Sequence, residues 1–308
     1  MLQAIARALP LAAYEPFRLG IVRFRRGSLP RKVCVGVLQI AAGAHRGRLA
    51  SLVSEVRPLD MPHLGFCPTD SMVMDAVYWF GVQGYEGKVA DVWAALCRRS
   101  RAILEIGGNV GLFTVLGASV SFVPYTVAEP VPTVSAVLRA NLARNGLTHV
   151  EVLEVAAIPG TASAPVTLNV PDEKRGAPVG AHLTEGVEVH GRSSERRISV
   201  SGRPFRDLMA GRDLVKIDAE GIEAKLLDSA RDIILAERPT LLIEVLPNAT
   251  NLAAIITELA RDAGYAIFVV PEWGSDTIVE VSPDEFTAAL PARFNSKDIV
   301  LSTGALPV

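Results

Sequence analysis

The chain has 308 residues, of which 49% are hydrophobic and 21% charged, with a formal net charge of −2 at pH 7. This composition predicts a large folded core, and the near-neutral charge argues against general nucleic-acid binding. Cys34, Cys67 and Cys97 lack metal-ligand spacing, which favours inert thiols in a reducing compartment. No apolar run matches a bilayer span or a secretory leader, so we expect a cytoplasmic protein.

Residues 1–60 stand apart from the rest because they carry ten Arg and Lys against three acidic residues. Leu2, Ile5 and Leu9 follow helical spacing, so this segment could touch an anionic membrane surface or an acidic partner. A solvated flank packed on the main domain is the simpler interpretation. We predict a basic, helical or irregular N-terminal extension over 1–69, followed by one domain over 70–308.

Strands and helices alternate along the second part of the chain. Apolar periodicity predicts helices over 70–80, 86–99, 131–144, 221–236 and 249–263. Strands are predicted over 102–107, 125–129, 150–157, 198–202, 214–218, 240–246, 265–270, 277–281 and 298–302. This order predicts an α/β fold, a doubly wound and mostly parallel sheet covered by helices on both faces. Residues 158–197 interrupt the alternation and predict an insertion near the site, or a hairpin.

A glycine-rich turn, Glu105-Ile-Gly107-Gly108-Asn109-Val-Gly111, follows the first predicted strand of the alternating region. Its glycines let a ligand approach the backbone closely. The third glycine of a dinucleotide-binding turn is missing, and an acid-x-Gly-x-x-x-Gly loop is usual for S-adenosylmethionine. Glu105 can bind the ammonium of that ligand directly or through water. Taken alone, the turn could also be a plain strand-to-helix connection.

A second acid supports a nucleoside site. The predicted strand over 125–129 ends in Glu129-Pro130. In doubly wound sheets, an acid at this position holds the ribose hydroxyls of a nucleoside. We therefore expect Glu129 to grip both hydroxyls of the cofactor's ribose.

The most specific pattern is Lys216-Ile-Asp218-Ala-Glu220, at the end of another predicted strand. Alternate residues of a strand share one side, and charges on a buried strand are unfavourable without partners. At the carboxyl end of the strand they instead face the crevice where such folds bind ligands. Glu244, within an apolar run, is a further acid that a core would not select. The alternative is a structural salt bridge of Lys216 with Asp218 or Glu244.

Together these motifs resemble the FkbM-type family of methyltransferases over about residues 70–246. The resemblance rests on Gly84-Tyr85-Glu86, Glu105–Gly111, Glu129-Pro130, Asn141 with Asn145, Lys216–Glu223, Arg238-Pro239 and Glu244. Glu105 stands where the family usually has Asp, and Gly108 where Ala is usual. Residues 1–60 and 158–197 fall outside the resemblance, and such regions normally decide the acceptor.

The resemblance implies a Rossmann-like class I methyltransferase with a seven-stranded sheet. It implies S-adenosylmethionine-dependent O-methylation of a small-molecule hydroxyl, on a sugar or on a secondary metabolite such as a polyketide, glycoside or glycolipid. A homo-oligomer is compatible with this reading. The expected cofactor-binding residues are Tyr85, Glu86, Glu105, Gly107, Gly108, Asn109, Gly111, Glu129, Pro130, Ala156 and Asp218.

The catalytic group remains open at this point. We expect Asp218 or Glu220 to take or position the acceptor proton, with Lys216 or Glu244 tuning it. His182, in the predicted insertion, is a rival base because its ordinary pKa is better suited. Alternatively, Asp218, Glu220 and Glu244 could gather a Mg²⁺ that polarises a diol.

Two other classes of function are also open. One is a nicotinamide-dependent oxidoreductase on a similar sheet, against which the missing third glycine counts. The other is a non-catalytic protein that keeps the fold only to bind S-adenosylmethionine. Intact Glu105, Glu129 and Asp218 argue against such a loss of activity.

Overall fold

The computed structural model describes residues 2–25, 28–171, 182–183, 195–272 and 275–307. Within these residues the chain forms two compact units, the first ending at Gly87 and the second starting at Lys88. The first unit therefore extends past the predicted boundary at residue 69. No helix in the described part of the chain is long and apolar enough to cross a membrane.

The first unit is helical. Its helices are α1 (Leu2–Ala8), a 3-10 helix (Leu11–Tyr14), α2 (Glu15–Arg23), α3 (Leu29–His45), α4 (Leu49–Leu52) and α5 (Met72–Phe80). Both α1 and α2 pack against α3. The Ser71 hydroxyl accepts a hydrogen bond from the Met74 amide at 3.2 Å and so caps the start of α5.

The second unit alternates strands and helices as the periodicity predicts. Its helices are α6 (starting at Gly87 and ending at Cys97), α7 (Leu112–Ala118), α8 (Pro132–Arg144), α9 (Phe205–Met209), α10 (Glu223–Ser229), α11 (Arg231–Glu237), α12 (Thr250–Ala263) and α13 (Leu290–Arg293). Its strands are β1 (Ile103–Ile106), β2 (Tyr125–Ala128), β3 (Val150–Leu153), β4 (Ala156–Ile158), β5 (Ala164–Pro171), β6 (His182–Leu183), β7 (Glu195–Pro204), β8 (Leu214–Ile217), β9 (Thr240–Glu244), β10 (Ala266–Val270), β11 (Val279–Val281) and β12 (Asp298–Ser302).

The main sheet has the order β11-β10-β12-β9-β8-β1-β2-β3. The pairs from β9 to β3 are parallel, and those that involve β10 or β12 are antiparallel. The predicted doubly wound, mostly parallel α/β sheet is thus confirmed. It contains eight strands in the described residues instead of seven, because the short strand β11 adds to the edge beside β10. The strand order reverses between β1 and β8.

Residues 150–157 form two strands instead of the single predicted one. Strand β3 pairs with β2 at the edge of the main sheet, whereas β4 pairs with β7 in a second sheet of order β4-β7-β5-β6. An edge strand has no further neighbour, so the chain is free to leave the main sheet after Leu153. The second sheet contains the antiparallel pair β5 and β7, in line with the hairpin predicted for 158–197.

The predicted helix over 221–236 is likewise divided. It forms α10 and α11, which meet at Ala230. Ala230 has φ −117°, outside helical values. The central strands β1, β2 and β8 are buried along their whole length. Their carboxyl ends are consequently held at fixed positions along one edge of the sheet.

Candidate functional site

A cleft opens at the carboxyl ends of β1, β2 and β8, beside the reversal of strand order. Ligands of open α/β sheets bind at this position. The cleft has an empty volume of about 720 Å³, counting space open to solvent. Four connections line it: the turns after β1, β2 and β8, and the β3–β4 connection, with Leu168 of β5.

The turn after β1 contains a glycine whose replacement would force the backbone to shift. Gly107 has φ +80°, in the left-handed region. A Cβ atom at this position would lie 1.9 Å from the backbone oxygen of Asp218. The backbone of the β1 turn and that of the β8 turn therefore touch. At Gly108, a Cβ atom would meet Val127 Cγ2 at 2.3 Å and Leu138 Cδ1 at 2.7 Å, so these side chains fill the space that an alanine would need.

Hydrogen bonds fix the rest of this turn. Asn109 has φ +49°, and its side-chain Oδ1 accepts the Val110 amide at 2.7 Å. The buried side chain of Asn141, on α8, donates from Nδ2 to the Val110 carbonyl at 2.7 Å. Asn141, one of the motif residues, thus fixes the turn through a hydrogen bond from α8.

Glu129 joins the β1 turn to the β2 turn. Its Oε2 accepts the Asn109 amide at 2.9 Å, and its Oε1 accepts the Val131 amide at 3.0 Å. Burial raises the pKa of Glu129 to about 7, although the two amides act in the opposite direction. A carboxylate offers about four acceptor positions, so two remain for hydroxyl donors in the cleft.

Glu105 is placed differently from the other acids. It is buried, with 1% exposure, and does not line the cleft. Its Oε2 accepts a hydrogen bond from the Tyr125 hydroxyl at 2.6 Å. Burial raises the pKa of Glu105 to about 7, with Lys216 and Tyr125 acting against it. In this arrangement Glu105 supports the sheet beneath the turn, and the direct ammonium contact stays a prediction.

Lys216 and Asp218 form a close pair at the end of β8. The distance from Lys216 Nζ to Asp218 Oδ2 is 3.0 Å, and the ammonium also lies 4.8 Å from the centre of the Phe113 ring. Burial alone would lower the pKa of Lys216, but the carboxylates of Asp218 and Glu105 more than offset this and raise it. Lys216 therefore stays charged.

The same pairing acts on Asp218. Burial would raise the pKa of Asp218, but the ammonium groups of Lys216 and Lys297 outweigh burial and hold it below the usual value. The salt bridge foreseen as a structural alternative is thus present. It does not remove Asp218 from the cleft, because the Asp218 side chain keeps 31% exposure and lines the wall.

The turn after β8 is held by Glu223. Its carboxylate accepts the amides of Ala219 at 2.8 Å and of Gly221 at 3.0 and 3.1 Å. Within this turn Glu220 has φ +53° and Gly221 has φ +103°. The second acid of the Glu-Gly-x-Glu motif thus shapes the turn, and the first faces the cleft.

Glu244 lies beside this cleft, at the end of β9, and lines a separate cavity with residues of α12. Its Oε1 accepts a hydrogen bond from Lys297 Nζ at 2.8 Å. Burial and the charge of Asp218 raise the pKa of Glu244 to about 9. Mutual repulsion therefore works against ionising both carboxyl groups, and the nearby ammonium groups favour the negative charge on Asp218.

The structure brings together some of the predicted site residues. Those that line the cleft are Gly107, Asn109, Glu129, Pro130, Ala156, Asp218 and Glu220. Those of the second unit that lie outside its lining are Glu105, Gly108, Gly111, Lys216 and Glu244. Tyr85 and Glu86 belong to the first unit. His182 begins the short strand β6, and its side chain lies outside the described residues.

The Mg²⁺ hypothesis gains no support from this geometry. Within the described residues, Asp218, Glu220 and Glu244 do not converge as a set of metal ligands. Two of the three carboxylates already have an ammonium partner, Lys216 for Asp218 and Lys297 for Glu244.

Lys297 is the site residue that sequence reasoning missed. It precedes β12, which runs antiparallel to β9, so the start of β12 lies at the same edge as the carboxyl end of β9. The sequence offered no usable sign, because Lys297 follows Asn295 and Ser296 in a polar stretch before the strand. Val155, Leu168 and Ile222, also in the cleft wall, carry no distinguishing pattern.

The fold and this cleft define a class I methyltransferase-like unit. The model of the family described as the methyltransferase FkbM domain matches residues 105–267. This range contains every described residue of the cleft, and it spans more than half of the chain. The chain therefore belongs to the FkbM methyltransferase family.

Solved structures give weaker likenesses. A methyltransferase FkbM from Methylobacillus flagellatus KT aligns with 94% of this chain and 58% of its own length, at 14% identity and a TM-score of 0.39. An O-methyltransferase from Bacillus cereus in complex with SAH aligns with 70% of this chain and 78% of its own length, at 13% identity and a TM-score of 0.37. The SAH-bound methyltransferase PaMTH1 of Podospora anserina aligns with 69% of this chain and 82% of its own length, at 13% identity and a TM-score of 0.39. No curated protein matches the chain.

Proposed function

We propose that the protein transfers a methyl group from S-adenosylmethionine to a hydroxyl of a small-molecule acceptor, a sugar or another natural product. The observation that carries this proposal is the convergence of the Gly107 turn, Glu129 and Asp218 in one cleft. It supports a nucleoside cofactor next to an ionised acid.

The residues present fit this cofactor. Glu129 keeps acceptor positions for the two ribose hydroxyls, and its orientation is fixed by the loop amides. The absence of a Cβ at Gly107 leaves the backbone of the turn open to close approach. The cleft is also lined by the apolar side chains of Val134, Ala157 and Ile222, which suit a flat purine. When bound, S-adenosylmethionine supplies an electrophilic methyl group on a sulfonium.

Asp218 is the group that we assign to the acceptor. As the ionised member of its pair, it can accept a hydrogen bond from the attacking hydroxyl and take the proton as the new bond forms. Lys216, at 3.0 Å, holds the carboxylate in place and in its charged form. Glu220, on the same turn, remains the second candidate. Because the pKa of Asp218 is lowered, its carboxylate is a weak base, and this favours a role in orienting the acceptor hydroxyl.

Substitution of Asp218 tests this assignment. We expect Asp218→Asn to reduce turnover by about 100-fold or more, because the amide cannot accept the proton. Affinity for S-adenosylhomocysteine, measured by calorimetry, should stay nearly unchanged. Asp228→Asn, an exposed position on α10, is the matched control. Full turnover in Asp218→Asn would remove the assignment, and loss of wild-type activity with EDTA would revive the metal hypothesis.

The other classes of function are separated by ligand binding. Calorimetry with NADH against S-adenosylmethionine distinguishes a nicotinamide oxidoreductase from a methyltransferase. Binding of S-adenosylhomocysteine without turnover on a broad panel of hydroxylated acceptors would support a non-catalytic protein. Mass spectrometry of co-purified small molecules would narrow the acceptor. A cytoplasmic location also remains a proposal, supported by the buried thiols of Cys34 and Cys97, which form no disulfide bond.

A further inference from the structure

Most of the exposed large apolar side chains in the described residues belong to the first unit. Within the described residues, ten of the twelve exposed large apolar side chains precede Gly87, and only Phe122 and Leu246 follow it. The most exposed of the ten include Leu29 at 74% and Leu2 at 63%. Concentrations of exposed apolar side chains in soluble proteins usually mark an interaction surface.

Helix α3 shows how this surface is built. Leu29, Val33 and Ile40 are 74%, 53% and 38% exposed, and their spacing places them on one face of a helix with 3.6 residues per turn. Leu38 and Ala41, on the opposite face, are fully buried. The inner face of α3 holds the unit together, so the outer apolar face requires another explanation.

The charges around this face are one-sided. Glu15 pairs with Arg18 at 2.7 Å, and Glu55 pairs with Arg57 at 2.6 Å. Asp60, the third acid of residues 1–60, accepts the amides of Val82 and Gln83 at 3.0 and 2.8 Å. All three acids are thus engaged inside the unit. Besides Arg57, which pairs with Glu55, the exposed cations among the described residues of 1–60 are Arg7, Arg23, Arg25, Lys32 and Arg46.

We propose that the first unit docks on an anionic lipid bilayer through the α3 stripe of Leu29, Val33 and Ile40, helped by the exposed Leu2 and Ile5 and by those five cations. Apolar side chains would enter the boundary of the acyl chains, and the cations would meet the anionic headgroups. Lys32 flanks the α3 stripe, where a long basic side chain can reach the headgroups.

Charge favours lipid over a second copy of the chain, and helix length determines how α3 would lie in the bilayer. An isologous contact with a second copy would place the five cations of one copy against those of the other. At 17 residues, α3 is about 25 Å long, short of the roughly 30 Å hydrocarbon core. The helix would therefore lie in the interface plane and not span it.

Vesicle flotation tests the proposal. We expect the intact chain to float with phosphatidylcholine vesicles that contain roughly 30% phosphatidylserine, to float much less with pure phosphatidylcholine, and to be released by salt. Arg23→Gln with Arg25→Gln should weaken binding about thirtyfold. Leu29→Ser with Val33→Ser should weaken it about tenfold or more.

Matched variants in the second unit serve as controls. Arg98→Gln with Arg99→Gln removes the same charge from exposed positions, and Phe122→Ser removes a side chain that is 81% exposed. Both should bind as the wild type does, and circular dichroism should show all variants folded. Absence of wild-type flotation, or equal losses in the controls, would overturn the proposal. So would light scattering that shows self-association removed by Leu29→Ser with Val33→Ser. None of these readouts depends on methyl transfer.

Discussion

Glu129 faces the cleft while each of its carboxylate oxygens accepts a backbone amide. This double use lets one residue shape the cofactor loop and bind the ribose. We expect Glu129→Gln to lower affinity for S-adenosylhomocysteine about 10- to 100-fold, because the charge and one acceptor are lost. Calorimetry measures the change, with Glu280→Gln, an exposed acid on β11, as the control. Unchanged affinity would show that Glu129 serves only the loop.

Two adjacent glycines differ in how replaceable they are. A Cβ at Gly107 meets a backbone oxygen and has a left-handed φ, whereas a Cβ at Gly108 meets only side-chain ends. We expect Gly107→Ala to lower the free energy of unfolding by about 3 kcal/mol or more and abolish cofactor binding. Gly108→Ala should lower it by about 1 kcal/mol. Urea unfolding measures both, and equal effects would contradict the backbone contact with Asp218.

At the scale of elements, the β8 turn depends on a single acid behind it. Glu223 accepts the amides of Ala219 and Gly221 and is buried. We expect Glu223→Gln to lower the free energy of unfolding by about 1–3 kcal/mol, since hydrogen bonds to a charged group are lost. Glu237→Gln is the matched control, because Glu237 also accepts an amide, that of Gly211 at 2.8 Å, but at an exposed position. Its effect should stay within about 0.5 kcal/mol, and equal effects would contradict the role of burial.

Periodicity predicted the main elements because their burial is regular. Strands β1, β2 and β8 are buried throughout, so the sequence of each strand is a mostly apolar run. The rule that parallel strands end at one edge then brings Gly107, Glu129 and Asp218 together. The break at residues 154–155 could not be predicted, because both halves of the run are apolar enough for a strand. Their separation depends on pairing with the distant β7.

Local pattern also could not predict which acids face the cleft. Glu105 lies on β1 two residues before Gly107, yet its carboxylate is directed to Tyr125 inside the fold. Lys297 reaches Glu244 across 53 residues of sequence. Such long-range pairs are set by strand register, as between Asp298 and Glu244. Site residues that act through neighbouring strands are therefore visible only after the sheet order is known.

At the scale of the whole second unit, ionisable groups are buried along one edge of the sheet. Glu105, Glu129 and Glu244 have pKa values raised from 4.5 to about 7, 7 and 9. A carboxyl group with a raised pKa holds its proton in the folded state after the unfolded chain has released it. The stability that it contributes is complete below pH 4.5 and is lost as the pH rises through the folded pKa.

The raised pKa values of these carboxyl groups determine how the stability of the second unit depends on pH. Asp218 has a lowered pKa, so it changes the free energy of unfolding only below about pH 4. Lys216 has a raised pKa, so it changes the free energy of unfolding only above about pH 10. We expect the free energy of unfolding of the second unit to fall steadily from about pH 5 to about pH 9, measured by urea titration at fixed ionic strength. Glu244→Gln should flatten the decline between about pH 7 and 9, and Glu280→Gln should leave it unchanged. A stability that rises over this range, or a slope that Glu244→Gln does not alter, would contradict the buried and protonated state of Glu244.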